Sequence, residues 1–174
     1  MSEIDEKWYA LFVLTGEEIK VKRRLERKFK DSSGLTFVVP RRRLIERKAG
    51  KWEEKIRTVF PGYILANGTI REKEYYSFEG IPGLLRVLKD SGGPHEIPGE
   101  EIEVIKKLIR GGEIIDPSSA FEQADKVIIT DGPLLGLEGL IHSVDKRKGR
   151  AKVRLNFAGE PRLVDLSVNI IQTV

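Results

Sequence analysis

The chain has 174 residues, enough for one medium domain or two small ones, and 33% of them are charged against 40% apolar, which points to small cores under a charged surface. There is no cysteine, so disulfides, thiolate metal sites and cysteine catalysis are excluded. The acidic start at residues 1–6 and the absence of a run of about 18 apolar residues argue against a secretory signal and a membrane span, so a cytoplasmic protein is expected.

Residues 8–14 are apolar and aromatic and read as a buried strand, broken by Thr15 and Gly16. Residues 17–30 predict a helix, with acids in the first turn and Val21, Leu25 and Phe29 at four-residue spacing on one face. A turn at 31–34 leads to a strand at 35–39, which Pro40 ends. Residues 41–52 suggest an exposed hairpin turning at Ala49-Gly50, and the chain returns through 56–65 as another strand. A helix at 72–78, a short strand at 86–88 and a helix at 98–110 with Ile102, Ile105 and Ile109 inward complete this region. The mixture implies an α+β sandwich, with helices on one face of an antiparallel sheet.

Gly111-Gly112 stops the third helix, and the polar stretch that follows has few apolar anchors. Beyond it, strands are expected at 127–129, 139–144, 151–157 and 163–166, without helical periodicity, which suggests a small β-barrel. The expected organisation is therefore a domain at 1–110, a linker at 111–119 and a barrel domain at 120–174.

Charge is unevenly distributed. Between positions 20 and 57 there are 15 Lys/Arg against 5 Asp/Glu, although the whole chain carries only +4. A second basic stretch holds Lys146, Arg147, Lys148, Arg150, Lys152 and Arg154, with no acid among them. Such segregation fits a polyanion, and a solubilising face is the plainer alternative for both stretches. In residues 151–157 the two-residue alternation turns Ala151, Val153, Leu155 and Phe157 inward. Lys152, Arg154 and Asn156 then face out without a compensating acid on the strand, and continued alternation sends Ala158 outward too.

Catalysis has little support. His95 and His142 fall in different expected domains, and the adjacent pairs Glu53-Glu54 and Glu100-Glu101 point to different faces. No nucleophile elbow, phosphate loop or zinc-binding helix motif occurs. No enzyme, cofactor or metal is expected.

Four motifs carry more. Lys7-Trp8-Tyr9 opens the first strand, and Val59-Phe60-Pro61-Gly62-Tyr63-Ile64-Leu65 combines two aromatics with a Pro-Gly corner. Gly80-Ile81-Pro82-Gly83 follows, and Asp131-Gly132-Pro133-Leu134-Leu135-Gly136-Leu137-Glu138-Gly139 lies near the C-terminus. Taken alone, Phe-Pro-Gly-Tyr reads as a buried turn. In this order and at these separations, from Trp8 to about Leu166, the set resembles the NusG family of transcription elongation factors.

That resemblance implies an NGN-like α+β sandwich followed by a five-stranded, SH3-like KOW barrel. It also implies a monomer that docks on the clamp coiled coil of RNA polymerase through Trp8, Phe60 and Tyr63, with Ile81 and Pro82 at the rim. DNA beside the N-terminal basic segment is a further implied partner. Gly132, Gly136 and Gly139 fall in the KOW turn, and Gly139 is expected where a side chain would obstruct close packing. Two positions depart from the family. Ala158 stands where housekeeping NusG carries an aromatic that helps grip Rho or a small-subunit ribosomal protein, and Leu134 replaces the Phe of the family's Gly-Pro-Phe. With the basic turn, these departures are similar to the LoaP group of specialised antiterminators. They make Lys146, Arg147, Lys148, Arg150, Lys152 and Arg154 a candidate site for a structured leader RNA, a leader hairpin. A housekeeping NusG and a ribosome-associated RNA-binding protein are the rival readings.

Overall fold

The structure is a computed structural model that describes residues 7–31 and 34–172. In chain order its elements are β1 (Trp8–Val13), α1 (Glu18–Lys28), β2 (Thr36–Val38), β3 (Arg41–Lys48), β4 (Lys51–Thr58), β5 (Tyr63–Asn67), α2 (Glu72–Ser77) and β6 (Leu84–Val87). There follow β7 (Lys89–Asp90), β8 (Gly93–Pro94), α3 (Gly99–Leu108), β9 (Ile114–Ile115), β10 (Ser118–Gln123) and β11 (Lys126–Asp131). A 3₁₀ turn (Glu138–Leu140), β12 (Ile141–Asp145), β13 (Arg150–Phe157) and β14 (Glu160–Gln172) close the chain. The expected turn at 31–34 lies partly outside the described residues.

Contacts divide the chain into two units: Met1–Val39 with Phe60–Pro98, and Pro40–Val59 with Gly99–Val174. The first is built on an antiparallel sheet of order β2-β5-β1-β6. Alternation along β1 sends Tyr9, Leu11 and Val13 into one core with Val21, Leu25 and Phe29 on the α1 side. Val21 and Leu25 are wholly buried, each stabilising the fold by about 2 kcal/mol. Phe29 packs against Phe37 and Phe78 at ring separations of 5.8 and 5.0 Å. The start of α2 is held by Glu74, whose carboxylate accepts from the Arg71 amide at 3.1 Å and from its guanidinium at 2.8 Å.

The second unit contains a five-stranded sheet of order β11-β10-β14-β13-β12. The long β14 pairs antiparallel with β13 in its first half and parallel with β10 in its second, which curls the sheet into a half-barrel of the SH3-like kind. A separate sheet of order β4-β3-β9 belongs to the same unit. Its hairpin turns at Ala49 and Gly50, both with positive φ, as a two-residue turn requires. The mixed α+β class holds.

Several expectations shift. The single strand at 56–65 is two strands, β4 and β5, because the Phe60-Pro61-Gly62 corner interrupts it. In α3 the inward residues are Ile102, Ile105 and Leu108, with Ile109 only half-buried, since three-residue spacing keeps Leu108 on the inner face. Residues 111–119 are not slack chain. β9 pairs parallel with β3, Ile115 and Ser118 are buried, and β10 begins at Ser118. The hairpin and α3 group by contact with the barrel rather than with residues 7–39. Long-range hydrogen bonds join the hairpin to the barrel: the Ser167 hydroxyl donates to the Arg43 carbonyl at 2.7 Å, and Arg150 Nη2 to the Ile45 carbonyl at 3.2 Å.

Gly139 is also not the crowded glycine. A Cβ there meets nothing within 4 Å, whereas at Gly132 it would lie 2.7 Å from Ser118 Cα, with φ at +100°. Close approach of β10 to the turn after β11 therefore makes Gly132 the position that needs glycine.

Candidate functional site

The Phe60-Pro61-Gly62-Tyr63 corner is anchored by a residue that sequence reading passed over. Glu18, at the start of α1, is buried. Its Oε1 accepts from the Gly62 amide at 2.9 Å, and both carboxylate oxygens accept from the Gly16 amide at 3.1 and 3.0 Å. The Val13 amide donates to the Gly62 carbonyl at 2.8 Å, and the Tyr63 amide to the Phe60 carbonyl at 3.1 Å. One carboxylate thus ties two turns together. Acid at a helix start was legible in the sequence, but its long-range partners were not.

The corner delivers Tyr63 to the sheet face opposite the core. Register sets Tyr63 across from Phe12 and Phe12 across from Arg86, so three strands contribute one row. The Phe12 and Tyr63 rings meet edge-on at 5.5 Å, and the Arg86 guanidinium lies 5.3 Å from the Phe12 centroid. Phe12 and Tyr63 are half-buried and Arg86 is exposed. Trp8 and Tyr63 do share this face, by alternation along β1 and pairing with β5. Phe12 was missed, although the same alternation from Trp8 reaches it.

The other expected docking residues sit differently. Trp8 is 7% exposed, with its indole nitrogen lacking a hydrogen-bond partner among the described residues. Phe60 is 1% exposed, and Ile81 belongs to the core beneath the other face of the sheet. Pro82 is exposed, and its carbonyl accepts from Arg24 Nη1 at 2.8 Å. Gly83 presses so closely on α1 that a Cβ would fall 2.6 Å from Val21 Cγ2. Packing of the Gly-Ile-Pro-Gly corner against α1 is what takes Ile81 inward.

In the barrel, β13 alternates as read. Ala151, Val153, Leu155 and Phe157 are buried, and Lys152, Arg154 and Asn156 are exposed. The face is not free of acid, however: Asp165 on β14 stands directly across from Lys152, a neighbour that strand-by-strand reading cannot see. The six bases also differ in their engagement. Lys146 pairs with Glu122, which raises its pKa. Arg150 is drawn onto the hairpin and lies 4.0 Å from Asp165. Arg147, Lys148, Lys152 and Arg154 are exposed and make no ion pair among the described residues. The Lys148 amide donates to Asp145 Oδ1 at 2.9 Å, which shapes the turn that carries them. Ala158 is half-buried with φ at 53°, inside the β13–β14 turn rather than on a continuing strand face.

In the hairpin part of the basic segment, three arginines are engaged by acids. Arg57 holds Glu46 through Nε at 3.2 Å and Nη2 at 3.0 Å, which keeps the Glu46 carboxyl below its usual range. Arg43 pairs with Glu54 and with Asp116, the latter at 3.0 Å, and Arg41 with Glu113 at 3.3 Å. Burial lowers the Arg42 pKa, opposed by Asp165 and reinforced by Arg150 and Arg57. His95 contacts Asp90 at 2.9 Å, whereas His142 is exposed on β12. Among the described residues no three metal-ligating side chains cluster, and no helix is long and apolar enough to cross a membrane.

Comparison with known proteins bears on these surfaces. Residues 6–106 match the family described as "Transcription termination factor nusG". The chain is 30% identical over 175 residues to the transcription termination/antitermination protein NusG of Buchnera aphidicola, covering 95% of each. It is 28% identical to that of Bacillus subtilis, covering 94% of this chain and 96% of the relative. Its fold is like a solved structure described as "Domain interaction in Thermotoga maritima NusG", with a TM-score of 0.59, 22% identity and 94% coverage of both chains.

Proposed function

The chain belongs to the NusG family, as a transcription termination/antitermination factor of that type, and from this premise we propose that it is a specialised antiterminator that docks on the RNA polymerase clamp. The observation that carries the docking is the Tyr63–Phe12–Arg86 row. It combines two accessible aromatic edges with a cation on a rigid sheet, the composition of an interface anchor. Trp8 and Phe60 are buried and serve packing rather than meeting the partner. A factor bound across the clamp favours the closed enzyme. A preference of about 1.4 kcal/mol for that state shifts the equilibrium about tenfold toward processive elongation, without chemistry.

The KOW barrel contributes target choice by binding leader RNA through Arg147, Lys148, Lys152 and Arg154, the members of its basic stretch that make no ion pair among the described residues. A LoaP-like role fits the small Ala158-Gly159 turn, which offers no aromatic anchor. Copurification with polymerase, lost on Arg86→Glu at unchanged melting temperature, tests the docking. Retention of polymerase by that variant would overturn it.

One observation favours a second reading. Leu163, directly across from Arg154, is 52% exposed, an apolar side chain suited to a protein ligand. A housekeeping NusG whose barrel binds Rho or a ribosomal protein would use it. Titrating those proteins against the chain, with Leu163→Ser as control, separates the readings.

A further inference from the structure

The two tryptophans have opposite surroundings. Trp8 is buried, while Trp52 on β4 is 61% exposed, so its indole forgoes the burial that usually favours so large an apolar group. The ring nevertheless has company. Trp52 lines an open cavity of about 550 Å³, shared by Arg47 of the hairpin and by Arg147, Lys148 and Arg150 of the barrel turn. The Arg47 guanidinium lies over the indole, 5.8 Å from its centroid. The acid in the lining is Glu46, and both its oxygens are already taken by Arg57. Arg47, Arg147 and Lys148 make no ion pair among the described residues, and Arg150 Nε is buried without an acceptor.

A solvated face would not place an indole among four cations. An apolar peptide would leave the cations unused, and a bare duplex backbone would leave the indole unused. The pair of features fits a ligand that is both flat and anionic. We infer that this cavity, between the hairpin and the barrel turn, receives an unpaired RNA nucleotide. Its base stacks on Trp52 while the adjoining phosphates meet Arg47, Arg147 and Lys148. The inference rests on the RNA reading of the barrel and narrows it to unpaired rather than duplex RNA.

The test uses the full chain and four probes: a ten-nucleotide single-stranded RNA, an RNA hairpin with an open loop, an RNA duplex and the matching single-stranded DNA. The single-stranded and looped RNAs should quench the exposed tryptophan emission. Trp52→Ala should weaken both about tenfold, as expected for loss of one base stack, and Trp52→Phe should restore most of the affinity. Lys152→Glu with Arg154→Glu should weaken every probe. If that double variant loses RNA while Trp52→Ala binds like the parent, the cavity inference falls and the barrel reading stands. If neither substitution weakens RNA, both fall. Single-stranded DNA binding more tightly than RNA overturns the assignment to RNA. Loss of polymerase rather than RNA on Trp52→Ala would assign the cavity to a protein and sink the inference.

Discussion

Replacing Glu18 by Ala tests whether one buried carboxylate sets the docking corner. The substitution removes the acceptor for the Gly62 amide, which is buried, and for the Gly16 amide, which is partly so. An unmade hydrogen bond on a buried donor costs about 1–3 kcal/mol, and bonds to a charged acceptor lie in the upper part of that range. With water reaching Gly16 more easily, the expected loss is about 3 kcal/mol. A urea dependence of about 1–3 kcal/mol per M turns this into a midpoint lower by about 1–3 M. Glu18→Gln keeps one oxygen acceptor but loses the charge, and should cost about 1 kcal/mol. The neighbouring Glu17 provides the control, since its ion pair with Lys20 at 3.8 Å is exposed and Glu17→Ala should stay within about 0.5 kcal/mol. Urea titration followed by circular dichroism reads the stability, and amide chemical shifts of Gly16 and Gly62 read the bonds themselves. A midpoint for Glu18→Ala within about 0.2 M of the parent, or amide shifts unchanged at both glycines, would refute the reasoning.

Further outcomes follow from close packing and from the proposed surfaces. Gly132→Ala should destabilise the barrel by more than about 2 kcal/mol, through contact with Ser118 and a positive φ, whereas Gly139→Ala should be near neutral by thermal melting. Tyr63→Ala should weaken polymerase binding about thirtyfold, the scale of an interface anchor, with a melting temperature close to the parent's; equal losses in both would make Tyr63 a packing residue. Limited proteolysis should cut first at the exposed Gly111-Gly112, and the released barrel should fold alone. A barrel starting at residue 117 should be more stable than one starting at 120 by about 1–3 kcal/mol, because the Ser118 hydroxyl accepts from the Leu134 amide at 2.9 Å. Equal urea midpoints for the two fragments would remove that role from Ser118.

What the sequence determined by itself is local and periodic. The two-residue alternation of 151–157 placed Lys152 and Arg154 outside and Phe157 inside, because neighbouring strand residues must face opposite ways. The four-residue spacing of Val21, Leu25 and Phe29 set the buried face of α1, and Ala49-Gly50 marked the hairpin turn that needs positive φ. The ordered aromatic and glycine motifs carried the family. Tertiary structure decided whatever depends on residues distant in the chain. Only register across three strands brings Phe12 and Arg86 beside Tyr63, and only the fold sets Asp165 opposite Lys152. Phe60 looked like a docking aromatic and is core, while Trp52, unremarked in the chain, stands exposed among the cations of a turn about a hundred residues away. Burial and charge pairing are sums over neighbours in space, and a linear pattern holds those neighbours only when they lie within a few residues.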